Sequence, residues 1–201
     1  VRHDVPSVED CPSCHEGRRT PILGFNALEL SPDRDPLAPH AEASPEGGVD
    51  LRALVRRGLL TNFPPELVKT PPRIVAPSSV ARAAAGYLFG NCSGCHNGSG
   101  PLAPLGLDFD QSVLDPDGGR HLEARLLGRP SRFVVPGATE GVRVVAGHPE
   151  RSALWFRMQS RSPVAQMPPL GTKLVDAEGT RLVEQWIIAS ASSKARKETS
   201  K

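Results

Sequence analysis

Ser78-Ser79-Val80-Ala81-Arg82-Ala83-Ala84-Ala85-Gly86-Tyr87-Leu88-Phe89-Gly90-Asn91-Cys92-Ser93-Gly94-Cys95-His96 is the stretch whose reading decides the fold. Its first part, residues 78–90, predicts an amphipathic helix. Ser78 or Ser79 offers the side-chain oxygen an N-cap needs. Val80, Ala83, Ala84, Tyr87 and Leu88 then recur at helical spacing and form one apolar stripe. The helix runs directly into two thiols and an imidazole.

Cys-x-x-Cys followed at once by His is the attachment pattern of a covalent haem. In Cys92-Ser93-Gly94-Cys95-His96 the thiols are spaced to reach the two vinyl groups on one edge of a haem, and His96 then lies under the iron as its proximal ligand. Cys11-Pro12-Ser13-Cys14-His15 repeats the pattern, with His15 in the same role. The chain has 4 cysteines, and these two motifs use them all. The expected cofactors are therefore two covalently bound haem c groups, held by Cys11, Cys14, Cys92 and Cys95. Three other readings are weaker. A zinc site needs the two pairs to converge although they lie far apart in the chain. A thioredoxin-like redox pair normally sits where a strand meets a helix in a βαβ unit, a pattern not seen around Cys11 or Cys92. Disulfides give no reason for a His after each pair.

Composition agrees with a cofactor-filled core. Aromatic residues make up only 4% of the chain while Pro contributes 21 positions and Gly 19, so large core side chains are scarce and turns abundant. A porphyrin is a rigid apolar plate whose burial, at roughly 25 cal/mol per Å², supplies what the side chains lack. The formal charge of +2 comes without a long basic block, which argues against nucleic acid as a partner. No apolar run reaches the length of a transmembrane segment. The chain begins at Val1 without a signal-peptide pattern, as expected of a mature or excised segment.

Outside the second motif the signals are shorter. Asp50 to about Leu59 reads as a helix with Leu51, Leu54, Val55 and Leu59 on its stripe. The Pro-rich run from Phe63 to Pro77 reads as an ordered linker, and Asn97 to Gly106 as loop. Phe133-Val134-Val135 and Val142–Val145 are candidate extended pieces in a stretch broken by Pro and Gly. A helix is expected from Pro149 through Leu154 and Met158 to about Gln159. A last one is expected with Asp176 as N-cap, Glu178 in its first turn, and Leu182, Val183, Trp186 and Ile187 buried.

Residues 78–190 resemble a class I cytochrome c domain. The likeness rests on Gly86-Tyr87 ahead of the motif, Cys92-x-x-Cys95-His96, a late Met167-Pro168-Pro169, and a C-terminal helix carrying Trp186. It implies His96 on one face of the iron, Met167 on the other, and the first and last helices crossing beside the haem. The ordinary alternative for Met167 is a gap-filling core methionine, but the prolines beside it restrict the backbone and fix its direction. More loosely, the whole chain resembles the C-terminal part of larger bacterial dihaem cytochromes, through Val5-Pro6, Cys11 to His15, Gly58-Leu59-Leu60, Cys92 to His96 and Gln166 to Gly171. That likeness implies a missing upstream domain. The expected fold is mainly α: a class I cytochrome c-like helical domain at 73–191, a loop-rich N-terminal haem-binding segment at 1–72, and a disordered tail at 192–201.

The far-side ligand of the first iron is the least determined residue. Of the 6 histidines two are proximal, which leaves His3, His40, His121 and His148, together with Met158. His40 is the choice, because it lies in the irregular segment Ser31–Glu46 where a loop can fold over a porphyrin; the alternative is a solvated loop histidine. His121 follows a Gly-Gly turn, His148 precedes a helix, and Met158 pairs with Leu154 at core spacing.

The function expected is electron transfer between redox partner proteins rather than an enzymatic reaction. A His/Met second haem should have the higher potential and a His/His first haem the lower. The rival is a dihaem peroxidase-type enzyme with one open iron; a third reading leaves the first motif without haem, as a docking appendage. Covalent attachment is done outside the cytoplasm in bacteria, as the resemblance implies, so the location expected is periplasmic, extracellular or at the cell surface.

Overall fold

In a computed structural model of the chain the described residues are 5–17, 21–39, 48–115 and 117–198, with side chains described as far as residue 192. Seven α-helices follow one another among them: α1 (Pro12–His15), α2 (Leu51–Arg56), α3 (Pro65–Lys69), α4 (Ser79–Cys92), α5 (Gly118–Leu126), α6 (Ala153–Gln159) and α7 (Ala177–Glu198). Short 3-10 turns occupy Val8–Asp10, Ala103–Leu105 and Pro149–Arg151. Counting the 3-10 turns, about 40% of the described residues are helical, and they contain no strand, only isolated bridges joining Leu127 to Val144 and Pro130 to Val142. The fold is mainly α.

Three helices start where a polar side chain can satisfy an otherwise orphaned amide. The Ser78 hydroxyl accepts from the Ala81 amide at 3.1 Å, Asp50 from Ala53 at 2.6 Å, and Asp176 from Gly179 at 2.9 Å. In α4 the run of alanines lets neighbours approach on several sides, so Ala81, Ala83, Ala84, Ala85, Leu88 and Phe89 are all buried. Val80 and Tyr87, expected on the buried stripe, are half-buried. Helix α2 stops at Arg56 and leaves Leu59 two-thirds exposed, so its buried face is Leu51, Ala53 and Leu54.

Contacts divide the chain into two units. One is Ser13–Arg120, with Leu51, Leu54, Leu88, Phe89 and Phe109 in its core. Residues 13–72 of the expected N-terminal segment thus fall in the same unit as α4. The other unit joins Val1–Pro12 to His121–Lys201. Here α6, α7 and the turn at Pro149–Arg151 pack together, and Leu182, Val183, Trp186 and Ile187 are buried as the sequence predicts.

Several local outcomes differ from expectation. The helix expected from Pro149 to Gln159 is interrupted at Ser152, whose extended ψ of 119° separates a 3-10 turn from α6. The linker 63–77 contains α3, begun by Pro65 at a position where a missing amide hydrogen costs nothing. Helix α5 falls in the stretch read as broken by Pro and Gly, and α7 continues to Glu198 rather than ending near residue 191. No described helix is long and apolar enough to cross a membrane.

Candidate functional site

The second motif begins at the end of α4 and continues as one more turn. The His96 and Cys95 amides both donate to the Cys92 carbonyl, at 2.8 and 3.2 Å, so Cys92, Cys95 and His96 are carried on a single helical turn. Residues three and four apart share a face of such a turn, which presents two thiols and an imidazole together. His96 is buried, and its ring meets Phe109 edge-on at 5.8 Å; the Phe109 amide also donates to the His96 carbonyl at 2.9 Å.

Asn97, the next residue, was not singled out from the sequence, yet it organises the turn. It is buried, and its side-chain amide donates to the Ser93 and Gly94 carbonyls, both at 3.1 Å. Its oxygen accepts from the Ser99 and Gly100 amides at 3.1 and 2.7 Å. Four backbone groups that the irregular turn cannot pair internally are thereby satisfied.

The first motif is carried on α1. His15 at its end is exposed, and its Nδ1 lies 2.7 Å from the Pro21 carbonyl oxygen. A carbonyl only accepts, so Nδ1 is the donor in this bond; in the neutral ring the lone pair then lies on Nε2. Cys11 is exposed and its thiol donates to the Ser7 carbonyl at 3.5 Å.

Within the Ser13–Arg120 unit, Cys14 of the first motif meets the second motif. The Cys14 and Cys95 sulfurs are 3.0 Å apart. A Cβ on Gly94 would lie 3.7 Å from the Cys14 carbonyl and 3.4 Å from the Leu23 side chain. Past the motifs, a Cβ on Gly17 would lie only 2.2 Å from the Gly100 backbone, and Gly17 has a φ of +85°. Only glycine suits that position.

The local field keeps the second pair protonated. Burial, reinforced by Cys95, pushes the Cys92 thiol up to about 12, and burial with the hydrogen bond and charge of Cys14 does the same for Cys95. A thioredoxin-like pair requires the opposite shift in its attacking thiol. Among the described residues no three His, Cys, Asp or Glu side chains converge to hold a metal ion by themselves, so the Cys14–Cys95 contact does not extend to a zinc-type cluster.

Met167 belongs to the other unit, where it is half-buried in its Met-Pro-Pro loop beside a cis Met167–Pro168 bond. Arg157 ties this loop down: its carbonyl accepts from the Met167 amide at 3.0 Å and its guanidinium donates to the Ala165 carbonyl at 2.9 Å. The same guanidinium lies over the Phe133 ring at 5.2 Å. Burial lowers the Arg157 pKa.

Among the other candidates, Met158 is a buried core residue, and His148 is exposed and pairs with Glu150 at 3.2 Å. His121 is exposed at the start of the second unit. His3 and His40 lie outside the described residues. A cavity of about 240 Å³ lies elsewhere in the Ser13–Arg120 unit, lined by Gly86, Phe89 and the ion-paired Arg73–Asp33 and Arg82–Asp35. Compared with protein-family models, curated proteins and solved structures, the chain gives no match.

Proposed function

We propose that the chain is a dihaem c-type cytochrome that transfers electrons between redox partner proteins outside the cytoplasm. The observation that carries this reading is the His15 Nδ1 bond to the Pro21 carbonyl. Metal-ligating imidazoles almost always donate their second nitrogen to a carbonyl or carboxylate, which fixes the tautomer and raises the basicity of the ligating nitrogen. His15 follows directly on a Cys-x-x-Cys pair, where a proximal haem ligand belongs.

When bound, haem c supplies one-electron redox chemistry at its iron. The chain's own residues then have distinct tasks. Cys11, Cys14, Cys92 and Cys95 would attach the two groups through their sulfurs, and His15 and His96 would hold the irons through an imidazole nitrogen. Phe109 packs beside the His96 ring and limits its rotation. Asn97 holds the turn that carries His96, and Arg157 holds the loop that carries Met167. A thioether from Met167, as the class I resemblance implies, would raise the potential of the second haem. A distal His40 on the first would keep that haem lower and give the pair a direction.

The finer fold assignment belongs to the same reading. A class I cytochrome c-like region at 73–191 is supported by the capped helix leading into the second motif and by the capped C-terminal helix with Trp186 buried. Covalent attachment sets the location as the periplasm or the cell surface, and an upstream domain of a longer protein is consistent with the looser resemblance.

An anaerobic redox titration followed in the visible region tests the carrier reading. Two one-electron steps are expected, with no spectral change when carbon monoxide is added to the reduced protein. Stoichiometric carbon monoxide binding together with peroxide turnover would overturn it in favour of a peroxidase-type enzyme.

A further inference from the structure

We infer that Cys14 and Cys95, one thiol from each motif, are the two halves of a redox switch: they close into a disulfide while their thiols are free, and that one bond disables both motifs at once. The bridge itself follows from where the two residues lie, whatever the motifs bind. Its hold over haem rests on the dihaem reading.

Both residues belong to the Ser13–Arg120 unit, and both are free, partly exposed cysteines. Their sulfurs lie 3.0 Å apart although the residues are 81 positions apart in the chain. A disulfide holds its sulfurs at about 2.05 Å, so closure asks for roughly 1 Å of approach, which small side-chain rotations supply. The backbone around the pair is already in place. A Cβ on Gly94, the residue before Cys95, would lie 3.7 Å from the Cys14 carbonyl oxygen, and one on Gly17 would lie only 2.2 Å from the Gly100 backbone. Backbones come as close as Gly17 and Gly100 do only where a Cβ is missing. Asn97 bonds both the Gly94 carbonyl and the Gly100 amide, and so ties the turn carrying Cys95 to this seam. The two thiols meet because the chain on each side of them is fastened together.

The oxidant for the step is another disulfide, of the small-molecule class that glutathione disulfide represents. One cysteine thiolate attacks a sulfur of the oxidant, whose own S–S bond breaks and releases one thiol. The other cysteine then displaces the second half. A Cys14–Cys95 S–S bond has formed, two S–H bonds are gone, and two electrons and two protons leave on two molecules of the small thiol. Cys11 and Cys92 keep their thiols. Each Cys-x-x-Cys-His motif uses two thiols to hold its haem, so each is then one short. Reduction restores all four.

The experiment uses the full chain before haem attachment, with Cys11→Ser/Cys92→Ser leaving only the two thiols in question. It is kept in glutathione buffer to constant composition, the remaining thiols are alkylated, and the mass is read. In the unfolded chain residues this distant rarely meet, so the equilibrium constant for the intramolecular bridge should be at least roughly ten-fold larger in native buffer than in concentrated urea. Equal values overturn the switch. Should that variant fail to fold, the disulfides of the unsubstituted chain are mapped by fragmentation: a Cys14–Cys95 bridge supports the switch, and bridges confined within the motifs overturn it. Haem then tests the gate. Offered haem without air, the unsubstituted chain reduced by dithiothreitol should gain at least roughly ten-fold more doubly attached haem than the bridged chain. Equal uptake overturns the gate. A reduced chain that takes no haem overturns the dihaem reading, and the gate with it, while the bridge stands.

Discussion

Replacing Asn97 by alanine should destabilise the folded protein far more than a loop substitution normally does. Its side chain makes four hydrogen bonds to the backbone around the second motif. Two of the partners sit in fully enclosed residues, the Ser93 carbonyl and the Gly100 amide, and water cannot replace the lost bond there. The Gly94 carbonyl and the Ser99 amide are closer to solvent and recover part of theirs. An unsatisfied buried group costs about 1–3 kcal/mol, so the variant should lose about 2–4 kcal/mol. For a chain of this size that corresponds to a fall in melting temperature of about 5–15 °C. Thermal unfolding of the haem-loaded protein by far-ultraviolet circular dichroism measures it, with Ser99→Ala as the exposed neighbour that should change stability by less than about 0.5 kcal/mol. If Asn97→Ala melts together with Ser99→Ala, the hydrogen bonds assigned to Asn97 do not support the motif.

Other consequences are as specific. Ser78→Ala should cost about 1 kcal/mol, read as a shift in urea midpoint at unchanged slope, because the Ala81 amide loses its acceptor. Leu88, with no exposed surface, should cost about 2–5 kcal/mol when truncated to alanine, measured in the same way. Met167→Ala should abolish the near-infrared methionine-to-iron band; a band that survives excludes Met167 as the ligand. Arg157→Ala should weaken that band while the haem count stays unchanged, since the Met167 loop loses the bond to the Ala165 carbonyl.

Local chemistry explains which parts of this structure could be read beforehand. Ser78, Asp50 and Asp176 each cap a helix in the expected place because the cap bond spans only three residues. Leu182, Val183, Trp186 and Ile187 are buried because helical spacing alone puts them on one face. Helix α5 escaped notice because its buried face is a single Leu122–Leu126 pair behind Gly118 and Gly119, whose own helix propensity is poor. Leu59 was assigned to a stripe that α2 is too short to reach.

The candidate site divides along the same line. Each Cys-x-x-Cys-His motif is visible as a string of letters, but the meeting of Cys14 with Cys95 joins residues distant in sequence and leaves no periodic trace. The only hint was the abundance of glycine around both motifs, which from sequence alone reads as ordinary loop. The same applies to Arg157, whose hold on the Met167 loop combines a carbonyl and a guanidinium. Nothing in its neighbours Phe156 and Met158 announces that role.

Two covalent haems per chain are proposed, one at each motif, and counting the haems bound covalently to each chain tests this most directly. Mass measurement of the denatured protein, with a pyridine haemochrome spectrum for the absorbing groups, should give two haems per chain. A value of one would leave the motif at Cys11–Cys14–His15 without its cofactor, and a value of zero would contradict the account altogether.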